Sequence, residues 1–180
     1  NYDYEQENYT KLLWLMEGWT AYYDDLLLVR AGLTTQAEYL ASMAKNVRNM
    51  RAAPGRFQLS LEESSFDAWI RLYRPDENTR NSSQNYYGNG AVAAMCLDLL
   101  IRRTTDGARS LDDVLQSLYQ TTFAQGRGYE IADVHRVITE IAGSEVVDKL
   151  LELVTGPLDP KLDDLLNDVG IKVQSREANK

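Results

Sequence analysis

The sequence predicts an all-α chain, and three observations carry that expectation. Thr35-x-x-Glu38, Ser64-x-x-Asp67 and Ser110-x-x-Asp113 fit the capping box, in which a hydroxyl accepts a backbone N–H and the carboxylate reaches back to the cap. Gly32, Gly143, Gly156 and Gly170 stand just past apolar stretches, where left-handed helix stops are expected. No segment shows the strict apolar–polar alternation of a half-buried strand.

These signals place the elements in order. A first helix covers 10–31, in which Leu12, Leu13, Trp14, Leu15, Met16, Trp19, Tyr22, Tyr23, Leu26, Leu27 and Leu28 leave no wide polar face; most of it should be buried. A second helix, 35–50, opens at the Thr35 box. Loop 52–63 follows, then a helix over 64–73 opened by Ser64, then the long polar loop 74–89, which should be irregular unless a binding site holds it. The next helix, 90–105, contains the apolar run "AVAAMCLDLLI". Helices over 110–122, 130–142 and 144–155 come next, and a last one over 160–168 has Asp159 as cap and Pro160 at its first position. Residues 1–170 read as one domain and 171–180 as a tail or the start of a linker.

A chain of 180 residues, 44% of them hydrophobic, suits one well-packed domain and is short for two. The formal charge of -8 argues against a nucleic-acid partner, whose phosphates must be neutralised by Lys and Arg. The lone Cys96 cannot form an internal disulfide and should be a core thiol. No run reaches the roughly 18 apolar residues of a membrane span, and "NYDYEQENYT" has no signal-peptide pattern. A soluble chain is expected, cytoplasmic or periplasmic. It lacks an initiator Met and reads as an excised piece of a longer parent.

The chemically suggestive stretch is "LWLMEGWTAYYDD", which sets Glu17 in an apolar, aromatic helix. Thr20 and Asp24 follow at helical spacing and extend it into a narrow polar stripe. A buried ionised carboxylate must be paired with a cation or a metal, or be protonated. Pattern alone reads as a buried ion pair or a partly exposed glutamate. Asp25, Arg56, Glu62 and Glu63 read as surface groups, and the single histidine, His135, as an ordinary helix residue.

The residues around Glu17 carry more than pattern. "LWLMEGWTAYYDDLLLVRAGL", "PGRFQLSLEESSFDAWIRLYR", "NYYGNGAVAAMCLDLLIRR" and "SLDDVLQSLY" resemble, in order, segments of the glycyl aminopeptidase family of zinc metallopeptidases. Members of that family usually carry a PDZ domain and are distant relatives of aminopeptidase N. In such enzymes an H-E-x-x-H helix gives two zinc ligands and the general base, and a later Trp-x-x-Glu-Gly segment gives the third ligand. Here that segment is Trp14-Leu15-Met16-Glu17-Gly18, and no H-E-x-x-H is present.

The resemblance therefore implies the helical C-terminal subdomain of a thermolysin-like catalytic domain, with Glu17 as a Zn²⁺ ligand in the intact parent and no tight zinc site in this chain alone. It implies that Tyr87, three residues before Gly90, stabilises the oxyanion of peptide hydrolysis, with Tyr86 as supporting neighbour; the polar stripe adds Thr20 and Asp24 as lesser supports beside Glu17. Asn89 stands where the family usually has Lys. The implied partners are a peptide with a free N-terminus, preferably glycine or another small residue, and, in cis, the N-terminal half of the catalytic domain and a PDZ domain. A helical interaction module that keeps the fold without the chemistry is the alternative.

Overall fold

The structure, a computed structural model, describes residues 3–174. Among them the regular elements are all helical, as the sequence predicts: α1 (Leu13–Arg30), α2 (Gln36–Ala52), α3 (Leu61–Phe66), α4 (Thr79–Ser82), α5 (Gly88–Thr104), α6 (Leu111–Thr121), α7 (Ile131–Ala142), α8 (Ser144–Thr155) and α9 (Leu162–Asp168). Short 3-10 turns occupy Pro54–Phe57 and Phe123–Gln125.

The core is organised around α5. Its residues from Asn89 to Asp98 are all buried, and it packs against α1, α2, α6, α7, α8 and α9. Ala91, Ala93 and Ala94 keep its girth small enough for several helices to surround it. Cys96 is fully buried, and desolvation pushes its thiol up to about 12, so it is an inert core group. Asp98 is the polar exception. It accepts from the Tyr22 hydroxyl at 3.0 Å, from Arg102 Nε at 3.0 Å and from Leu111 N, the first residue of α6, at 2.7 Å. One buried carboxylate thus ties α1, α5 and α6 together, and its lone pairs are used as burial requires.

The expected capping boxes at Thr35 and Ser110 are formed. Gly32, Gly143 and Gly170 have positive φ. Other expectations need correction. The box expected at Ser64 lies at Ser60–Glu63, so α3 starts earlier and ends at Phe66, and 67–73 continues as turns. Ser64 does not cap because it lies inside α3, its own N–H donating to the Ser60 carbonyl at 2.9 Å, and its hydroxyl donates to the Gln84 carbonyl at 2.6 Å. Asp159 does not cap the last helix, which starts at Leu162 behind Lys161; its carboxylate accepts from Arg56 instead. Gly156, with φ of -119°, is not left-handed. Asp25 is half-buried and accepts from the Ser42 hydroxyl.

Two burial expectations also change. Arg56 is buried rather than a surface arginine, donating to the Leu158 carbonyl at 2.6 Å and to Asp159 at 3.0 Å. Glu63 is the capping acid of α3. Helix α1 buries one face only: Trp14, Leu15, Gly18, Trp19 and Tyr22 face the core, while Leu27 is 54% exposed and Met16 and Leu28 are open as well. Glu17 is half-buried. In the expected tail, Ile171 packs on the core, and 175–180 lie outside the described residues.

Candidate active site

The site forms where α1 and α5 approach most closely. Gly18 faces Gly90 backbone to backbone: a Cβ on Gly18 would lie 2.6 Å from Gly90 Cα, and one on Gly90 would lie 2.7 Å from the Trp14 carbonyl oxygen. Further along both helices Tyr22 meets Asp98, so the two run in the same sense and their first turns lie together. Glu17 precedes one glycine of this contact and Tyr87 precedes the other by three residues. The contact therefore brings the two sequence-predicted site residues into one neighbourhood.

Glu17 has no hydrogen bond or ion pair among the described residues, although its neighbours are aromatic and apolar. Its negative charge is felt by the Tyr87 phenol. The Thr20 hydroxyl is spent on the Met16 carbonyl at 2.7 Å and is exposed. Asp24 is exposed too. Neither supports Glu17. No group of three His, Cys, Asp or Glu side chains that could hold a metal occurs among the described residues. His135 sits half-buried on α7. An ungripped, half-buried carboxylate fits the part of one metal ligand, and the described residues offer no complete set.

The tyrosine loop is rigidly built. Asn85 Oδ1 accepts from Tyr87 N at 2.8 Å, and the Tyr86 and Tyr87 carbonyls accept from Gly90 N and Ala91 N, so the phenols lead directly into the first turn of α5. Gln84 is buried; its side chain donates to the Leu59 carbonyl and accepts from Asn89 Nδ2 at 2.9 Å. Asn89 is therefore an inward latch of this loop. Gly55 presses its backbone on Ser83, since a Cβ there would lie 1.9 Å from the Ser83 carbonyl oxygen. Each contact removes freedom from the segment that aims the tyrosines.

The rings of Tyr86 and Tyr87 stack with centroids 4.9 Å apart at 27°. Tyr86 is 1% exposed and Tyr87 half-buried, so of the two only Tyr87 is open to a ligand. Tyr73, which sequence reading missed, completes the group: its hydroxyl lies 3.4 Å from that of Tyr86. Hydrogen bonding to Tyr73, then burial, then the charge of Glu17 hold the Tyr87 phenol above its ordinary range. Burial, then Tyr73, does the same for Tyr86. Both stay protonated at neutral pH, the state a hydrogen-bond donor needs.

Comparison with known proteins gives the family of this chain. The profile of the M61 glycyl aminopeptidases matches residues 1–93. The chain belongs to the M61 glycyl aminopeptidase family. The matched span includes Glu17, Tyr73, Tyr86, Tyr87 and Gly90. The chain is also similar to the crystal structure of an aminopeptidase N family protein from Idiomarina loihiensis, at 32% identity and a TM-score of 0.91, over 96% of this chain and 30% of that one. The chain thus spans about a third of the length of that relative. No curated protein matches. This M61 chain has no helix among its described residues long and apolar enough to cross a membrane.

Proposed function

We infer that this chain is the part of a zinc-dependent aminopeptidase that supplies one metal ligand, Glu17, and one oxyanion donor, Tyr87, for removal of an N-terminal glycine or other small residue. The observation that carries the reading is the Gly18–Gly90 contact, which sets a carboxylate without a hydrogen-bond partner and a protonated phenol at the same end of two packed helices in an M61 chain. The remaining zinc ligands and the general base come from outside these 180 residues. Zinc, when bound, supplies a Lewis acid for peptide hydrolysis.

The work of this chain's own residues is positional and electrostatic. Glu17 offers an anionic oxygen from a rigid helix. Tyr87 offers an O–H held in place by the Asn85 turn and the stacked Tyr86 ring, so little reorganisation is needed when negative charge develops on the substrate oxygen. Burial on one side strengthens that interaction. A downstream PDZ domain in cis belongs to the same proposal.

The test is a set of substitutions in the full-length protein that carries this chain. Glu17→Gln should lower zinc content and turnover together. Tyr87→Phe should keep zinc and lower kcat by about 10²- to 10³-fold, the usual effect of losing one oxyanion donor, while Tyr86→Phe costs far less. Wild-type zinc content and activity in Glu17→Gln would make that residue structural, and undiminished kcat in Tyr87→Phe would remove its role. No turnover of glycyl or alanyl substrates by the zinc-loaded wild type would favour an interaction module.

A further inference from the structure

We propose that Tyr73 is a positioning residue for the reaction: its hydroxyl, shared with the buried Tyr86 phenol, locks the Tyr86–Tyr87 stack and so fixes the direction in which Tyr87 donates. The proposal rests on the oxyanion role of Tyr87 and extends it to a residue outside the Tyr-Tyr motif.

Tyr86 is 1% exposed, and a buried phenol hydroxyl without a partner is unfavourable. The Tyr73 hydroxyl, 3.4 Å away, is the neighbour that meets it. Rotation of the Tyr86 ring would break that contact. It would also disturb the stack with Tyr87, whose centroid lies 4.9 Å off. The core holds the Tyr86 ring, and the Tyr73 hydroxyl, which also acts on the Tyr87 phenol, fixes the hydroxyl end of the stacked pair.

Tyr73 is itself held from the other side. Its N–H and that of Leu72 both donate to the carbonyl of buried Ala68, each at 3.1 Å, and Arg71 Nε donates to Asp67 at 3.0 Å, so the turn that carries the tyrosine is tied to its own start. The Tyr73 ring is 61% exposed and tilts against Trp69 at 6.4 Å, while its hydroxyl tip meets Tyr86. Tyr73→Phe therefore removes the hydroxyl contact while leaving packing and burial almost unchanged, which makes it a clean probe.

The experiment compares wild type, Tyr73→Phe and Tyr87→Phe in the zinc-loaded, full-length peptidase, with tyrosine ring ¹³Cζ NMR at neutral pH as a readout independent of turnover. Tyr73→Phe should lower kcat about three- to tenfold, the worth of one hydrogen bond, with KM unchanged, and should move the ¹³Cζ resonances of Tyr86 and Tyr87 while that of Tyr22 stays put. If Tyr73→Phe keeps wild-type kcat while Tyr87→Phe is crippled, the positioning role is wrong and the role of Tyr87 stands. A raised KM at constant kcat would make Tyr73 a substrate contact and overturn the proposal. Unmoved Tyr86 and Tyr87 resonances would do the same whatever the kinetics. If Tyr87→Phe is itself fully active, the oxyanion reading fails and the positioning role falls with it.

Discussion

Gly18→Ala tests the contact on which the site depends. Alanine is the better helix former, and in isolation the change would stabilise α1 by about 1 kcal/mol. Against that stands the new Cβ, 2.6 Å from Gly90 Cα, where carbon atoms prefer about 3.5–4.0 Å. The obstacle is backbone, so no side chain can swing away, and α1 and α5 must part by about 1 Å. Overpacking of this kind costs about 1–3 kcal/mol, and a backbone-on-backbone clash belongs at the upper end. The net expectation is about 2 kcal/mol of destabilisation, a fall in Tm of roughly 4–8 °C for a chain of this size. The effect on turnover should be larger than the effect on folding. Glu17 rides on one helix and Tyr87 on the other, and a misplacement of about 1 Å between reacting groups can lower kcat by about 10²-fold. Thermal unfolding of the 180-residue chain and steady-state kinetics on Gly18→Ala in the full-length protein measure the two. Gly90→Ala should do as much harm, and the two should combine to less than their sum because they strain one contact. A Gly18→Ala protein with wild-type Tm and wild-type kcat would refute the reasoning.

Asp98→Ala should destabilise by about 2–4 kcal/mol, because it strips the acceptor from Tyr22, Arg102 and Leu111 N at once; urea unfolding reads this, and a loss below about 1 kcal/mol would show the network to be incidental. Alkaline pH should weaken the fold through Tyr22. Burial, then the adjacent Asp98, raises its phenol above the ordinary value, so its folded-state pKa exceeds that of the unfolded chain. That contribution is whole below about pH 10 and is lost as pH rises from there toward the folded value. Urea midpoints should be flat from pH 7 to 9 and fall by pH 11, and Tyr22→Phe should fall less steeply; equal slopes would exclude Tyr22 as the cause.

Helix boundaries were legible wherever local geometry decides them. Thr35 and Ser110 cap because a hydroxyl and an acid at that spacing satisfy the same turn wherever it sits. At α3 two such boxes follow one another directly, Ser60 with Glu63 and Ser64 with Asp67. The helix is capped by Ser60, which puts Leu61 in the core and Ser64 inside the helix, where its hydroxyl donates to the Gln84 carbonyl, twenty residues on. Arg56 shows the same limit: its burial depends on the Leu158 carbonyl, which no local pattern announces. The apolar girth of α1 predicted burial all round, but amphipathicity reports only what a helix could bury. Which faces are covered depends on neighbours, and α5, α3 and α2 lie against it.

The candidate site divides along the same line. Glu17 and Tyr87 were legible because each belongs to a short motif whose spacing is local. Tyr73 was not: its link to Tyr86 exists only because 67–73 turns back on Ala68. The glycines lie between these cases. Gly18 and Gly90 could be read singly, as a motif letter and a helix start, yet their pairing is a fact of packing. That pairing gives each letter of Trp14-x-x-Glu17-Gly18 a physical task. Gly18 lets the helices touch, the Trp14 carbonyl lies against Gly90, and Glu17, one residue before the contact, is delivered to the mouth of the tyrosine loop. A carboxylate can therefore sit in this aromatic helix because it lies half-buried at the edge of the α1–α5 contact rather than in the core, which also explains why it has no ion-pair partner among the described residues.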